Sequence, residues 1–494
     1  MTQNRSFSQG IRWLMPLLAV LLAGCAIIPH PTVSDHLGTD DPAGRCADLF
    51  ADLDRRVAAA DVIDAGAFRV PGYPYLRVDR FLASFADEVA EPAAFEAWVD
   101  RMQAMDRTAR RHEIANLPDA GSPADRVALQ ERVQSCADRL RAADLQDDAA
   151  RRALAEAVTA PEDYLLLRQI VGLYPLPRWV IGRGVTRWQA EVRRDFTTAP
   201  PQQWSANVYA PPAKPDPAAA ARLVVQAQRD ALGIPHYSQA TEQQLFEAHA
   251  PVWQVQAGSA ADRIGTPIWR TEKRLAVDTG RPVTYTLLSH TRFQGAVLTQ
   301  LNYMIWFPAR PKSHPLDIYG GLLDGVILRV TLDRDGRPLL YDTVHHCGCY
   351  YAAFPTERIE VRDTIAYREP PLILPGPGAA VDQRQRLAVG MQRRTHFVRH
   401  LYLSDTAQSM DAVVYTLAPY DRLRALPHGT DQRRSMFAPD SLAPGSQRLE
   451  RWLFWPTGVY SAGAMRQWGR HAVAFAGRRH FDDPFYMEEM FTAD

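Results

Sequence analysis

The chain has 494 residues, 46% of them hydrophobic and 23% charged, and its 56 basic residues balance 56 acidic ones. This composition excludes a largely disordered chain, a collagen-like chain and a polytopic membrane protein. Zero net charge gives no long-range pull on nucleic acid, so no nucleic-acid partner is expected.

Residues 1 to 25 read as an address rather than as fold. Arg5 and Arg12 precede the apolar run 14–23. About ten residues at ~1.5 Å rise each cannot cross a ~30 Å hydrocarbon layer. The run is therefore expected to be a signal peptide over 1–24 and not a stable span. It closes in Leu22-Ala23-Gly24-Cys25, which resembles the lipobox of bacterial lipoproteins. The resemblance covers this segment alone. It implies that Cys25 is lipidated (palmitate among its acyl chains) and becomes the membrane anchor. Ala26 follows, with no Asp at that place. In Gram-negative lipoproteins this resembles an outer-membrane sorting signal, which implies a chain facing the periplasm. Residues 25–44 carry Pro29, Pro31, Gly38, Pro42 and Gly44 without apolar periodicity and read as a tether.

Over 45–195 the apolar period is helical. Cys46, Leu49, Phe50, Leu53 and Val57 share one face, and so do Val133, Cys136, Ala137 and Leu140. An even number of cysteines beyond the anchor in an exported chain invites disulfides. The two helices are expected to be joined by a Cys46–Cys136 bridge, and these cysteines read as structure rather than chemistry. Ser122-Pro123 opens the second helix as N-cap and N1. Residues 164–188 are strongly apolar but contain Arg168, Pro175 and Pro177. The expectation there is a buried helix followed by an apolar loop. The alternative is a face resting on a membrane, with Trp179, Trp188, Arg183 and Arg187 at the interface.

Residues 196–250 are proline-rich and read as a linker with one helix, capped by Asp216, opened by Pro217 and stopped at Gly233. From 251 to 494 the period changes to two. The alternating run 297–307 is apolar on both faces, which predicts a central strand. Residues 326–332 and 339–345, joined by a turn at 333–338, predict a β-hairpin. Weaker strands are expected at 358–362, 396–403 and 411–418. The fold class is α+β: a helical N-terminal region followed by a β-rich C-terminal domain.

One constellation carries chemistry-bearing residues. The second hairpin strand runs into His345-His346-Cys347-Gly348-Cys349, and His396 and His400 follow four apart. Imidazole and thiolate together suit zinc or copper. Cys-x-Cys is nevertheless not the usual zinc spacing, and Gly348 would have to make the turn. Asp342 would orient His346 from the same strand face. Three readings stay open: a Cys347–Cys349 disulfide, a metal site drawn from His345, His346, Cys347, Cys349, His396 and His400, or an ordinary strand end. Other signatures are missing: no Gly-x-Ser-x-Gly, no Ser-x-x-Lys, no His-Glu-x-x-His. Ser289, His290 and Asp317 are too common as residue types to define a triad by themselves. Trp452, Trp455, Trp468 and Arg466 suit either a sugar- or lipid-stacking surface or an aromatic core, and the core is the expectation.

The functional expectation is an envelope lipoprotein, lipid-anchored and periplasm-facing, with a structural or binding role toward a protein, lipid or envelope polymer. The alternative is a periplasmic metal-dependent or thiol-redox enzyme centred on the His-His-Cys-Gly-Cys segment, with zinc or copper as its cofactor in the first case.

Overall fold

The protein is described by a computed structural model covering residues 33–201, 204–212, 216–363, 369–378, 385–405 and 412–493. The signal, Cys25 and the first part of the tether lie outside the described residues.

Helix α1 (Pro42–Ala59) begins inside the segment expected to be tether, because Asp41 caps it by accepting from Gly44 N and Pro42 sits at the first turn. A short hairpin follows, β1 (Phe68–Val70) with β2 (Tyr73–Val78). Helix α2 (Pro92–Asn116) and helix α3 (Pro123–Asp144) complete the packing. Ser122 and Asp125 close a reciprocal capping box on α3, where the sequence placed its N-cap. Phe50, Tyr75, Trp98, Met102 and Leu140 share one core. The disulfide Cys46–Cys136 joins α1 to α3 with their Cα atoms 5.0 Å apart.

This core also holds charges. Arg77 lies 3.0 Å from Asp106 and 2.8 Å from Glu113. Arg69 lies 2.7 Å from Asp54, and Arg110 pairs with Asp54 as well. Burial pushes Glu113 up, but the charges of Arg77, Arg110 and Arg69 outweigh it and hold the carboxyl at about 2. Three guanidinium groups thus face three carboxylates out of water.

Helix α4 (Asp148–Ala157) leads into α5 (Leu166–Val171) and α6 (Pro177–Asp195). Here the expectation of a buried helix and loop is corrected. Residues 164–188 form two helices, and Leu166, Ile170, Leu173, Leu176, Trp179 and Val180 are all more than half exposed. No helix of the described residues is long and apolar enough to cross a membrane.

Residues 196–250 supply more than one helix. Strand β3 (Ala206–Ala210) enters a sheet, α7 (Pro217–Gln226) is capped by Asp216, and α8 (Gln239–His249) is capped by Ser238. Helix α7 stops at Gln226, short of Gly233. Residues 229 and 235 form a β-bridge instead, and Asp230 accepts from the N–H groups of Leu232 and Ile234.

The remainder is α+β in the expected order, with helices mostly N-terminal and strands C-terminal. The strands are β4 (Val252–Gln256), β5 (Thr266–Thr271), β6 (Arg274–Asp278), β7 (Val283–Phe293), β8 (Ala296–Arg310), β9 (Gly321–Leu332), β10 (Pro338–His345) and β11 (Ala352–Pro355). Strands β7 to β11 are neighbours in a seven-stranded sheet and pair antiparallel. Leu372–Ile373 and Thr416–Pro419 close its two edges in parallel. A five-stranded sheet sets Val398–Asp405, Gln385–Met391, β4, β3 and Val413–Val414 side by side. The residues expected to form a hairpin are β9 and β10, with Leu332 opposite Pro338. Strand β8 is central, as its two apolar faces predicted. Tyr303, Ile305 and Phe307 enter the core shared with the five-stranded sheet. Met304 and Trp306 enter a second core built with residues 420–491.

Candidate functional site

The His-His-Cys-Gly-Cys segment sits where β10 ends, inside the protein. Gly348 makes the turn at φ +87, and a Cβ there would meet Ala472 O at 2.2 Å. Gly348 N donates to His345 O and His345 N to Cys349 O, at 2.8 and 3.0 Å. This tight loop sends its side chains in different directions.

His345 reaches Asp324, 3.4 Å away, and His396 Nδ1 hydrogen-bonds the other oxygen of Asp324 at 2.8 Å. His396 Nε2 lies 3.4 Å from Asp262, and its ring is stacked on Phe307 at 3.8 Å. Arg448 donates to Asp324 Oδ1 at 3.3 Å. Burial pushes His396 down, but its hydrogen bonds to Asp262 and Asp324 raise it above the ordinary histidine value. Burial also pushes Asp324 up, but Arg448, His345 and His396 hold it well down. His345 is lowered by burial. The result is a charge-balanced buried chain, Asp262–His396–Asp324–Arg448, with a neutral His345 beside it. It ties the 392–397 loop to β9.

The six residues proposed as metal ligands do not converge. His346 is stacked on Trp306 at 3.8 Å, and burial lowers it well below the ordinary value. His400 lies on the five-stranded sheet, with Nδ1 3.2 Å from Ala199 O and Trp204 against its ring edge. Asp342 does not serve His346: it binds Arg329 and accepts from Tyr351 at 3.2 Å. Among the described residues no group of three or more His, Cys, Asp and Glu is placed to hold a metal ion. Helical or strand spacing brought His396 and His400 to one side on paper. The bulge between Gly390 and Met391 and the turn at 394–396 separate them.

Cys347 and Cys349 are both buried thiols and do not form the bridge that the sequence allowed. Cys349 N donates to Cys347 Sγ at 3.4 Å. Cys347 is lowered, because the Cys349 thiol and the Arg448 charge together outweigh its burial. The hydrogen bond to Cys347 and burial raise Cys349. The pair therefore gives up its first proton at Cys347 and holds the second on Cys349.

Cys349 lines a cavity of about 440 Å³ under α6. Trp188, Tyr350, Phe397, Leu372, Phe454 and Phe475 make its walls aromatic and apolar. Polar groups gather at one part of the wall. Arg310, the last residue of β8, is 8% exposed, and its guanidinium lies over the rings of Tyr319, Tyr350 and Phe397 at 5.2–5.6 Å. It donates to Tyr350 Oη at 3.1 Å and has no carboxylate within ion-pair distance among the described residues. Glu450 is 3% exposed and lines the same cavity. Burial raises it to about 7 against the pull of Arg448 and Arg310. Leu323, Tyr350, Arg394 and His396 have φ between 53° and 67°, so non-glycine residues in the left-handed region cluster around this site.

A second cavity of about 400 Å³ lies between α2 and β7 and is lined by Arg101, His290, Arg424 and Asp482. Its cations are already paired: Arg101 with Asp230 at 2.5 Å, Arg424 with Asp64 at 2.8 Å. Ser289 donates to Gln300 and Asp317 accepts from Ser313, so Ser289, His290 and Asp317 do not form a triad. Arg466 is buried and Trp468 half-buried against the core, while Trp452 is 61% exposed.

Sequence reasoning missed Arg310 and Glu450. A lone arginine ending a long apolar strand was the available signal. No protein-family model matches the chain, and no curated protein or solved structure is significantly similar to it.

Proposed function

We propose that the protein is an envelope lipoprotein, held to the outer membrane through Cys25 and facing the periplasm, that binds an anionic amphiphile. The observation that supports the ligand class is Arg310. Among the described residues no carboxylate lies within ion-pair distance of this buried guanidinium, which at the wall of an aromatic cavity leaves a place for one carboxylate or phosphate. The aromatic walls and the volume suit a hydrocarbon body. Glu450 stays largely protonated below its raised value and then donates to the same head group rather than repelling it. The role is binding, and the His–Asp chain and the strained loop hold the wall in place.

The test is a fluorescence titration of the chain from Ala26 onward with cis-parinaric acid, an anionic chain of eighteen carbons. Saturable binding at one equivalent, displaced by palmitate and not by methyl palmitate, is expected. Arg310→Met should weaken it roughly tenfold or more. Equal displacement by the ester would overturn the head-group reading. No binding by a folded protein would overturn the ligand class.

A thiol-redox role keeps one specific observation in its favour. Cys347 Sγ accepts from the backbone N–H of Cys349, and Cys349 faces the cavity. Counting thiols before and after mild oxidation of the native protein tests it: two that resist oxidation until unfolding would remove this reading.

A further inference from the structure

The outward side of α5 and α6 is apolar without a covering element among the described residues. Ile170, Leu173, Leu176, Trp179 and Val180 are 61–73% exposed. The segment 451–455 extends the patch. Leu167 and Val171 line a shallow pocket together with Trp452 and Trp455, and Val180 lines the large cavity together with Leu453. One apolar surface therefore runs from α5 across α6 to the cavity wall. Soluble proteins rarely leave so much contiguous apolar area bare.

The charges carried by α5 and α6 up to Ala190 have one sign. Between Tyr164 and Ala190 stand Arg168, Arg178, Arg183 and Arg187 and no acidic residue. The Arg178 guanidinium lies over the Trp179 ring at 5.6 Å, a cation beside an amphipathic aromatic. Apolar side chains with flanking tryptophan and arginine are what the boundary between acyl chains and phosphates accepts. Since no described helix can cross a bilayer, such a surface lies in the plane of one leaflet. A protein partner would not call for uniformly basic flanks; a layer of anionic phosphates does.

We propose that α5, α6 and the 451–455 turn rest on a phospholipid leaflet. Leu173, Leu176 and Trp179 dip below the phosphates, and the arginines pair with them. This contact is separate from the lipid at Cys25. It also sets the cavity wall formed by Val180 and Leu453 against the source of an amphiphilic ligand.

The experiment is flotation of the chain from Ala26 onward, which carries no acyl anchor, with vesicles of phosphatidylethanolamine containing phosphatidylglycerol. The protein is expected to float. Leu176→Asp with Trp179→Asp should lower the bound fraction roughly tenfold. Both side chains are exposed, so the melting temperature and cis-parinaric acid binding should stay as in the parent. Arg183→Gln with Arg187→Gln should weaken flotation on anionic vesicles and leave it unchanged on phosphatidylcholine. A parent that does not float overturns the proposal, as does an aspartate variant that floats equally. A parent that is dimeric in solution and becomes monomeric in the aspartate variant overturns it too, since a second copy would then cover the patch. Loss of cavity binding alone, with flotation intact, would count against the ligand reading and support this one.

Discussion

In the helical region, Arg69, Arg77 and Arg110 meet Asp54, Asp106 and Glu113 within a sealed core. In the β region, Arg310 reaches a cavity wall with a tyrosine hydroxyl as its hydrogen-bond partner, and Glu450 is buried there with its carboxyl raised to about 7. Both regions bury charge, and the cost of removing an ion from water is the same in each. The first meets that cost internally, so its charges act as a fixed part of the packing. The second leaves it partly unmet, so its charges favour something that enters. The same contrast separates the two cavities: Arg101 and Arg424 beside α2 are ion-paired with carboxylates, and Arg310 has no carboxylate within ion-pair distance among the described residues.

Four experiments break or sharpen this contrast. The largest effect belongs to the helical staple. Cys46→Ser with Cys136→Ser opens a bridge spanning 90 residues and should cost about 4–5 kcal/mol in urea unfolding, by the loop-entropy argument. Next, Arg110→Met strands buried carboxylates and should cost about 3–5 kcal/mol. If it costs under about 1 kcal/mol, the network is not closed in the way described.

Glu450 comes third, with the opposite sign. Its carboxyl is raised to about 7 in the folded protein, above the usual value near 4.3 for an unfolded chain. The folded state therefore holds more protons than the unfolded one between those values. That contribution to stability is complete below about pH 4 and is lost as pH rises through 7. Glu450→Gln should raise stability at pH 8 by about 3–4 kcal/mol and change little at pH 4. It should also flatten the fall in cis-parinaric acid affinity expected between pH 6 and pH 8. An unchanged profile would remove Glu450 from the site.

The smallest effect on stability belongs to Arg310→Met, under about 1 kcal/mol in either direction, because no ion pair among the described residues is broken. Its effect falls on ligand affinity instead. A loss comparable with Arg110→Met would mean that Arg310 is packing and not a receptor.

Much of the fold was legible because its signals are local. The apolar faces of α1 and α3 put Cys46 and Cys136 on the same interior, and the bridge follows. Strand β8 showed its central place through two apolar faces, and Asp333 to Pro338 marked the turn between β9 and β10. The tether ran too far for a local reason as well, since Asp41-Pro42 was already a helix start. The site was less legible. The dense His-Cys segment drew attention, yet its side chains diverge: His346 to Trp306, His345 to Asp324, Cys349 to the cavity. Spacing along a strand says which face a residue takes, but a turn of non-helical backbone at 348–350 resets that face.

The sequence by itself determined the order of helices and strands and the Cys46–Cys136 staple. These follow from periodicity and capping residues, all read within a few residues. Tertiary structure alone decided which charges are matched and which apolar faces remain bare. Asp106, Arg110 and Glu113 look like a solvated helix face and are buried, whereas Leu173, Leu176 and Trp179 look like core and are exposed. Whether a side chain is covered depends on what another part of the chain brings to it, and Arg310 meets its ring partners from residues up to 87 positions away.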